Sequence, residues 1–338
     1  MASVTTLGSG VDGSVRKIGR TYTWSGALAS LTSYNASDAI LNEIKYEYDS
    51  NHMLSRLYQS HSGAVNVFTT PYLQYSYAGI ANSFRMTGMI YPSGKTISHG
   101  YDGRNNLTTI SEGSTTLVSY VHSGTGIPMQ TTYNQPGLSL DYTGGGLDRY
   151  GRIIDHAWKK AGADVVCIQH GYDYASNRTY RNDLVQAANS ELYQYDQINQ
   201  IKNLNRGVLN QNQTAIVTPN FMEAWNLDKT GNWLQYDKNG TVENRTHNKA
   251  NEIQGIATHD KNGNMTVLPG QKAKYDAWNR LVEVRDTSDN LIARYDYNGM
   301  NQRIRKTVGT TVTESFFNEQ WQELESSEPQ SGDCVSYV

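Results

Sequence analysis

The chain has 338 residues, a net charge of −3 and an apolar fraction, Tyr included, of 37%. Its Lys and Arg are scattered, with never more than two in a row, so it has no basic stripe to neutralise phosphates, which excludes nucleic acid as a partner, and no apolar run reaches the roughly 18 residues of a membrane span. With 24 Tyr and 30 Gly, Tyr carries part of the burial, which suits a sheet with partly wet faces because the ring is apolar and the hydroxyl reaches water or a partner.

Residues 1–43 contain no clear unit and are expected to be degenerate repeats. From residue 44 the pattern sharpens: Ile44, Tyr46 and Tyr48 fall on one side of a strand, with Lys45 and Glu47 on the other. Period two means strand. Tyr48-Asp49-Ser50-Asn51 then supplies a turn, in which the Asp carboxylate can accept the backbone N–H two residues on and the Asn tolerates positive φ. The same pair returns as Tyr101-Asp102, Tyr172-Asp173, Tyr195-Asp196, Tyr236-Asp237, Tyr275-Asp276 followed by Asn279-Arg280, and Tyr295-Asp296. Asp148, Asp228 and Asp260 keep the carboxylate without the Tyr. From Asp148 to Asp296 the mean spacing is about 21 residues, the length of one hairpin in a repeat array.

Between Asp49 and Asp102, Tyr75-Ser76-Tyr77 and Tyr91-Pro92-Ser93-Gly94 read as a strand and a turn of weaker units. Residues 181–192 are open between a short helix and a loop, and 207–221 reads as an Asn/Gln-rich connector ending at Pro219. The array proper covers 44–308, a last strand region 309–322, and 323–338 reads as a disordered tail or a truncated continuation. The fold expected is all-β, one continuous body of antiparallel hairpin repeats winding into a spiral, because sheets twist and exposed edges are a liability. Ten units of two strands at ~4.8 Å per strand make about one turn of a hollow tube.

The Tyr-Asp units resemble the YD repeats of the RHS (rearrangement hotspot) family, most closely at Tyr275 to Leu281 and Tyr295 to Ile304. That family includes bacterial polymorphic toxins, the C components of insecticidal toxin complexes and the teneurins. The resemblance implies a hollow β-shell, which in bacterial members holds a toxic C-terminal region away from the producing cell and in eukaryotic relatives serves adhesion. No Asp-Pro dipeptide occurs, so the segment that closes an RHS core is missing from the pattern, as is a variable C-terminal toxin domain. The implied role is a non-catalytic shell segment, secreted or at the cell surface as part of a longer protein. Its implied partner is the remainder of the shell or a C-terminal toxin domain.

Chemical motifs do not displace that expectation. Ser93-Gly94-Lys95-Thr96 echoes a phosphate loop but has Met89 where the first Gly belongs, and it sits in a turn between strands. Asp237-Lys238-Asn239-Gly240 and Asp260-Lys261-Asn262-Gly263 offer oxygens without the spacing of an EF-hand loop. The 8 His lack a His-Glu-x-x-His pair, and no Gly-x-Ser-x-Gly elbow occurs. No catalytic, cofactor or metal residue is nominated. The alternative is a carbohydrate-binding or adhesion module on the same repeats, with Trp225, Trp233, Trp278 and Trp321 stacking on glycans. Cys167 and Cys334 are left open between free thiols and a disulfide.

Overall fold

The computed structural model describes residues 2–4, 8, 10–79, 84–142 and 145–337. Among these residues the secondary structure is strand throughout, apart from a 3-10 turn at Ala187–Asn189. Strands adjacent in sequence pair antiparallel along most of the chain, as in Ile40–Tyr48 against Leu54–Ser60, where Tyr46 faces Leu57 and Glu43 faces Ser60. The all-β hairpin array is therefore what forms. Contacts divide it into two compact units, residues 1–99 with 256–338 and residues 100–255, where the sequence reads as one body.

In the first unit a limb of strands running from Lys17–Tyr22 to Met86–Ile90 meets a second, nine-stranded limb running from Thr258–His259 to Asp333–Ser336. Period two puts Leu31, Ile44, Leu57, Leu73 and Met89 on one face of the first limb, and all are buried, as is Ile97 on the strand Thr96–Tyr101 that follows. Val282, Ala293, Ile304, Phe316 and Leu324 of the second limb are buried with them. Complete burial of such side chains stabilises by about 1.5–3 kcal/mol each. The turns of the second limb reach into the first: Gly299 lies where an added Cβ would stand 2.6 Å from Leu31 Cγ. Gln59 fastens the Phe317 backbone from both sides, its Nε2 donating to the carbonyl at 2.8 Å and its Oε1 accepting the N–H at 3.1 Å. Asn42 Nδ2 donates to the Tyr297 carbonyl at 3.0 Å, and the Tyr75 hydroxyl donates to Glu319 at 2.6 Å.

The second unit runs from Leu107–Glu112 to Thr241–Asn244, with a short pair Thr246–His247 and Ile253–Gln254. It is wetter. Val118, Ala157 and Ile168 are buried, whereas the long strand Ile216–Leu227 has no fully buried residue. Aromatic rings fill the half-buried positions, as in the stacked Tyr133 and Trp158 at 5.8 Å.

Three expectations are corrected. The 207–221 connector is a strand, a turn and a strand, Ile201–Leu209 and Ile216–Leu227, because the polar side chains of Asn210 and Thr214 close the turn on themselves while the flanks pair. Residues 181–192 finish one strand at Asp183 and begin another at Glu191, with the 3-10 turn between. The disordered tail is likewise strand, Glu323–Glu328 and Asp333–Ser336, up to Tyr337; Val338 lies outside the described residues, as do residues 5–7 of the N-terminal segment. Its Ser-rich composition hid an edge hairpin anchored by Glu325, which is 1% exposed and accepts the Ser93 N–H at 3.0 Å and the Ser336 hydroxyl. Among the described residues no helix is long and apolar enough to cross a membrane.

Candidate functional site

The recurring Asp closes a five-residue corner of fixed design. At Asp49 the N–H donates to the Met53 carbonyl at 2.8 Å, His52 N donates back to the Asp49 carbonyl at 3.0 Å, and Oδ1 accepts the N–H groups of Asn51 and Met53. His52 sits at φ 62°. Asp102, Asp148, Asp173, Asp196, Asp228, Asp260 and Asp276 make the same corner, with the third residue on at positive φ each time. Any short acceptor does, so Thr23, Asn35, Ser123, Asn248, Asn298 and Asn318 also serve, and at Tyr91, which closes the same backbone corner, the remote Glu325 carboxylate accepts the Ser93 N–H instead. In a meander alternate turns share an edge, so one repeat is two strands long; Asp260, Asp276, Asn298 and Asn318 all lie on one edge of their limb.

Successive corners are tied in both directions. The residue four after the Asp points forward: Arg152 Nη1 donates to Ser176 Oγ at 3.0 Å, Asn177 Nδ2 to Asn199 Oδ1 at 2.8 Å, Asn232 Nδ2 to Asn251 Oδ1 at 2.8 Å and Arg280 Nη1 to the Asn298 carbonyl at 2.9 Å. The Tyr before the corner points back. Tyr48 donates its hydroxyl to the Leu28 carbonyl, Tyr172 to Ile153, Tyr195 to Arg178 and Tyr297 to Leu281, always the residue five beyond the preceding corner's acceptor. Tyr beside Asp recurs because one closes its own turn and the other holds the previous one.

The carboxylates are therefore engaged. Side-chain hydrogen bonds from Asn106, Asn177, Asn232 and Asn290 hold Asp102, Asp173, Asp228 and Asp286 below the usual carboxylate range. Asp276 is the most buried of the corner carboxylates: 2% exposed, it accepts Trp278 N, Arg280 N and, at 2.6 Å, Arg280 Nε. Around it Asp12, His61, Arg280, Arg294, Asp296 and Arg305 line a polar cavity of about 210 Å³, in which Lys274 pairs with Asp12, Arg294 with Glu283 and Arg305 with Glu314. Each ion is matched, which leaves no obvious general base or nucleophile. Among the described residues no group of three or more His, Cys, Asp and Glu stands close enough to hold a metal ion.

Two of the sequence-nominated pairs are not corners. Asp237 lies within the strand Trp233–Lys238 opposite Val242 and accepts Gly240 N at 2.7 Å, so the turn is the two-residue Asn239-Gly240 with both φ positive. Asp296 is opposite Arg305, and the corner after it belongs to Asn298. Local sequence does not separate these two from true corners, because Tyr236-Asp237 has Gly240 and Tyr295-Asp296 has Gly299 three residues on, just as Tyr297-Asn298 has Asn301; strand register decides which acceptor closes the corner. Sequence reasoning also missed that His156 and His170 stack, since residues on paired strands are distant along the chain. Cys167 and Cys334 are both free thiols. The nominated Trp side chains are partly occupied: Trp225, Trp233 and Tyr236 form one cluster, and Arg280 lies over Trp278.

No family model and no curated protein matches the sequence. Solved structures do. The chain is similar to the TcdB2-TccC3 crystal structure with a TM-score of 0.65 and 12% identity, covering 92% of this chain and 20% of that one. The Tc holotoxin pore of Photorhabdus luminescens gives 0.66 and 12%, covering 94% and 20%. TcdB2-TccC3 without its hypervariable C-terminal region gives 0.64 and 12%, covering 94% and 20%. The fold is thus that of an RHS/YD-repeat β-shell, in part. This chain spans about a fifth of the length of the chains it matches.

Proposed function

We propose that the chain is a non-catalytic structural segment of a longer RHS/YD-repeat protein, delivered outside the producing cell, and forms part of a β-shell that encloses or presents a toxin or effector. The observation that supports this reading is the two-way corner ladder, in which Asp, Tyr and the residue four beyond are all used to hold wall to wall. Residues 44–308 are the recognisable wall, and its partner is the remainder of the same shell. The test uses the full-length protein: limited proteolysis should spare the region downstream of the shell in the intact protein and cut it after Asp276→Pro opens a corner. Equal cleavage rates before and after would remove the enclosing role. The alternative of glycan binding draws on the Trp225, Trp233 and Tyr236 cluster, where Trp233 is 38% exposed. A glycan array silent at millimolar ligand would end it.

A further inference from the structure

Four rings form a ladder across neighbouring strands of the 100–255 unit. Tyr142 stands 6.0 Å from His156, His156 stacks on His170 at 5.5 Å with planes 26° apart, and His170 stands 6.4 Å from Tyr172. Strand pairing fixes the geometry, because Asp155–Lys160 runs against Ala163–Tyr172 and His170 N donates to the Ile154 carbonyl at 2.9 Å. His170 is 8% exposed, and the Nδ1 atoms of both rings are buried without a hydrogen-bond partner.

The groups facing this pair favour neutral rings. From the strand Arg178–Asp183, Arg181 lies opposite His170 and pairs with Asp183 at 3.7 Å, and Arg178 adds a second positive charge nearby. Asp155 is the carboxylate beside His156, and its Oδ2 already accepts from Gln169. Tyr142 and Tyr172, neutral phenols, close the two ends of the ladder. A proton on each imidazole would set like charges face to face, out of water and next to two guanidiniums.

We propose that the His156–His170 stack is an acid-sensitive clasp, which holds Asp155–Lys160, Ala163–Tyr172 and Arg178–Asp183 together when neutral and releases them on acidification before the rest of the chain loosens. Burial first, then Arg178 and His156, pushes His170 down to about 4, and burial likewise lowers His156. An unfolded His titrates near ~6.5, so between that value and about 4 the unfolded state binds more protons than the folded one. The clasp's contribution is therefore complete above the unfolded value and lost as pH falls toward the folded one. The corner carboxylates Asp102, Asp173 and Asp228 are shifted down, so they stay charged through this window.

Hydrogen exchange of the full chain from neutral to mildly acidic pH tests this, with rates corrected for the intrinsic effect of pH. Protection should fall first at 155–172 and 178–183, and in the double variant His156→Phe/His170→Phe, which keeps stacked rings without titration, the midpoint should drop by at least about one pH unit. An unchanged midpoint in the double variant would overturn the proposal. Should that variant fail to fold, an imidazole NMR titration of the unsubstituted chain decides: a depressed value for His170 supports the clasp, and an ordinary one refutes it.

Discussion

Replacing Asp276 by Ala tests the corner where its consequences are largest. The substitution deletes the acceptor of the Trp278 and Arg280 N–H groups, at 2.9 and 3.0 Å, and strips the partner from Arg280, whose side chain is 5% exposed. Each lost amide bond costs about 1 kcal/mol, and breaking a buried ion pair by removing one partner costs about 3–5 kcal/mol. These overlap, so about 4 kcal/mol is expected. With a urea dependence of about 3 kcal/mol per molar the midpoint falls by roughly 1.3 M, read by fluorescence and assigned to the unit containing residue 276 by hydrogen exchange over 271–308. Asp276→Asn, which retains an acceptor oxygen, should fall between the two. The double variant Asp276→Ala/Arg280→Leu should recover at least half of the loss, because it removes the stranded charge. A single variant within about 1 kcal/mol of the parent, or a double variant worse than the single, refutes the reasoning.

Removing one hydroxyl, as in Tyr297→Phe or Tyr172→Phe, should cost about 1 kcal/mol by urea unfolding, since each breaks the backward bond to Leu281 or Ile153 and leaves the ring in place. Gly299→Ala drives a Cβ to 2.6 Å from Leu31 Cγ and 2.7 Å from Cδ2, an overpacking of about 1–3 kcal/mol, whereas Gly103→Ala meets nothing within 4 Å and should be near neutral by the same urea unfolding. Glu314 is held down to about 2, chiefly by His61 and, against burial, by Arg305. Its depressed value means that its contribution is present above the ordinary Glu range, near ~4.3, and disappears as pH falls toward 2. Carboxyl NMR should show that value rising in His61→Gln; no change would detach His61 from Glu314.

Period-two alternation and the Tyr-Asp pairs made the fold class legible because both are local. Ile44, Tyr46 and Tyr48 show their common side in the sequence itself, and Asp49 needs nothing beyond its next four residues to close a corner. What stayed hidden depends on pairing. Asp237 and Asp296 carry the same dipeptide as Asp49, yet each ends up inside a strand because two residues later Asn239-Gly240 makes a two-residue turn and Asn298 closes a corner of its own. The last hairpin could not be read from Ser326, Ser327 and Ser331, since its order comes from Glu325 meeting Ser93, far away along the chain. The His156–His170 stack escaped for the same reason: fourteen positions separate the two residues until the hairpin folds them together.

The corner also accounts for how a sequence can keep this fold at 12% identity to its structural neighbours while reaching a TM-score of 0.65. Its geometry is set by backbone bonds from the first residue to the fifth and by a residue at positive φ in fourth place, and at most corners a short acceptor in first place adds to these. Thr23, Asn35, Asp49 and Ser123 supply that acceptor with four different side chains. The strands between corners contribute ladder bonds that ask little of the side chain beyond alternation. Selection for the wall therefore leaves most positions free to drift, and constrains the few, such as Asp276 and Arg280, where a corner is buried and its charge must be met.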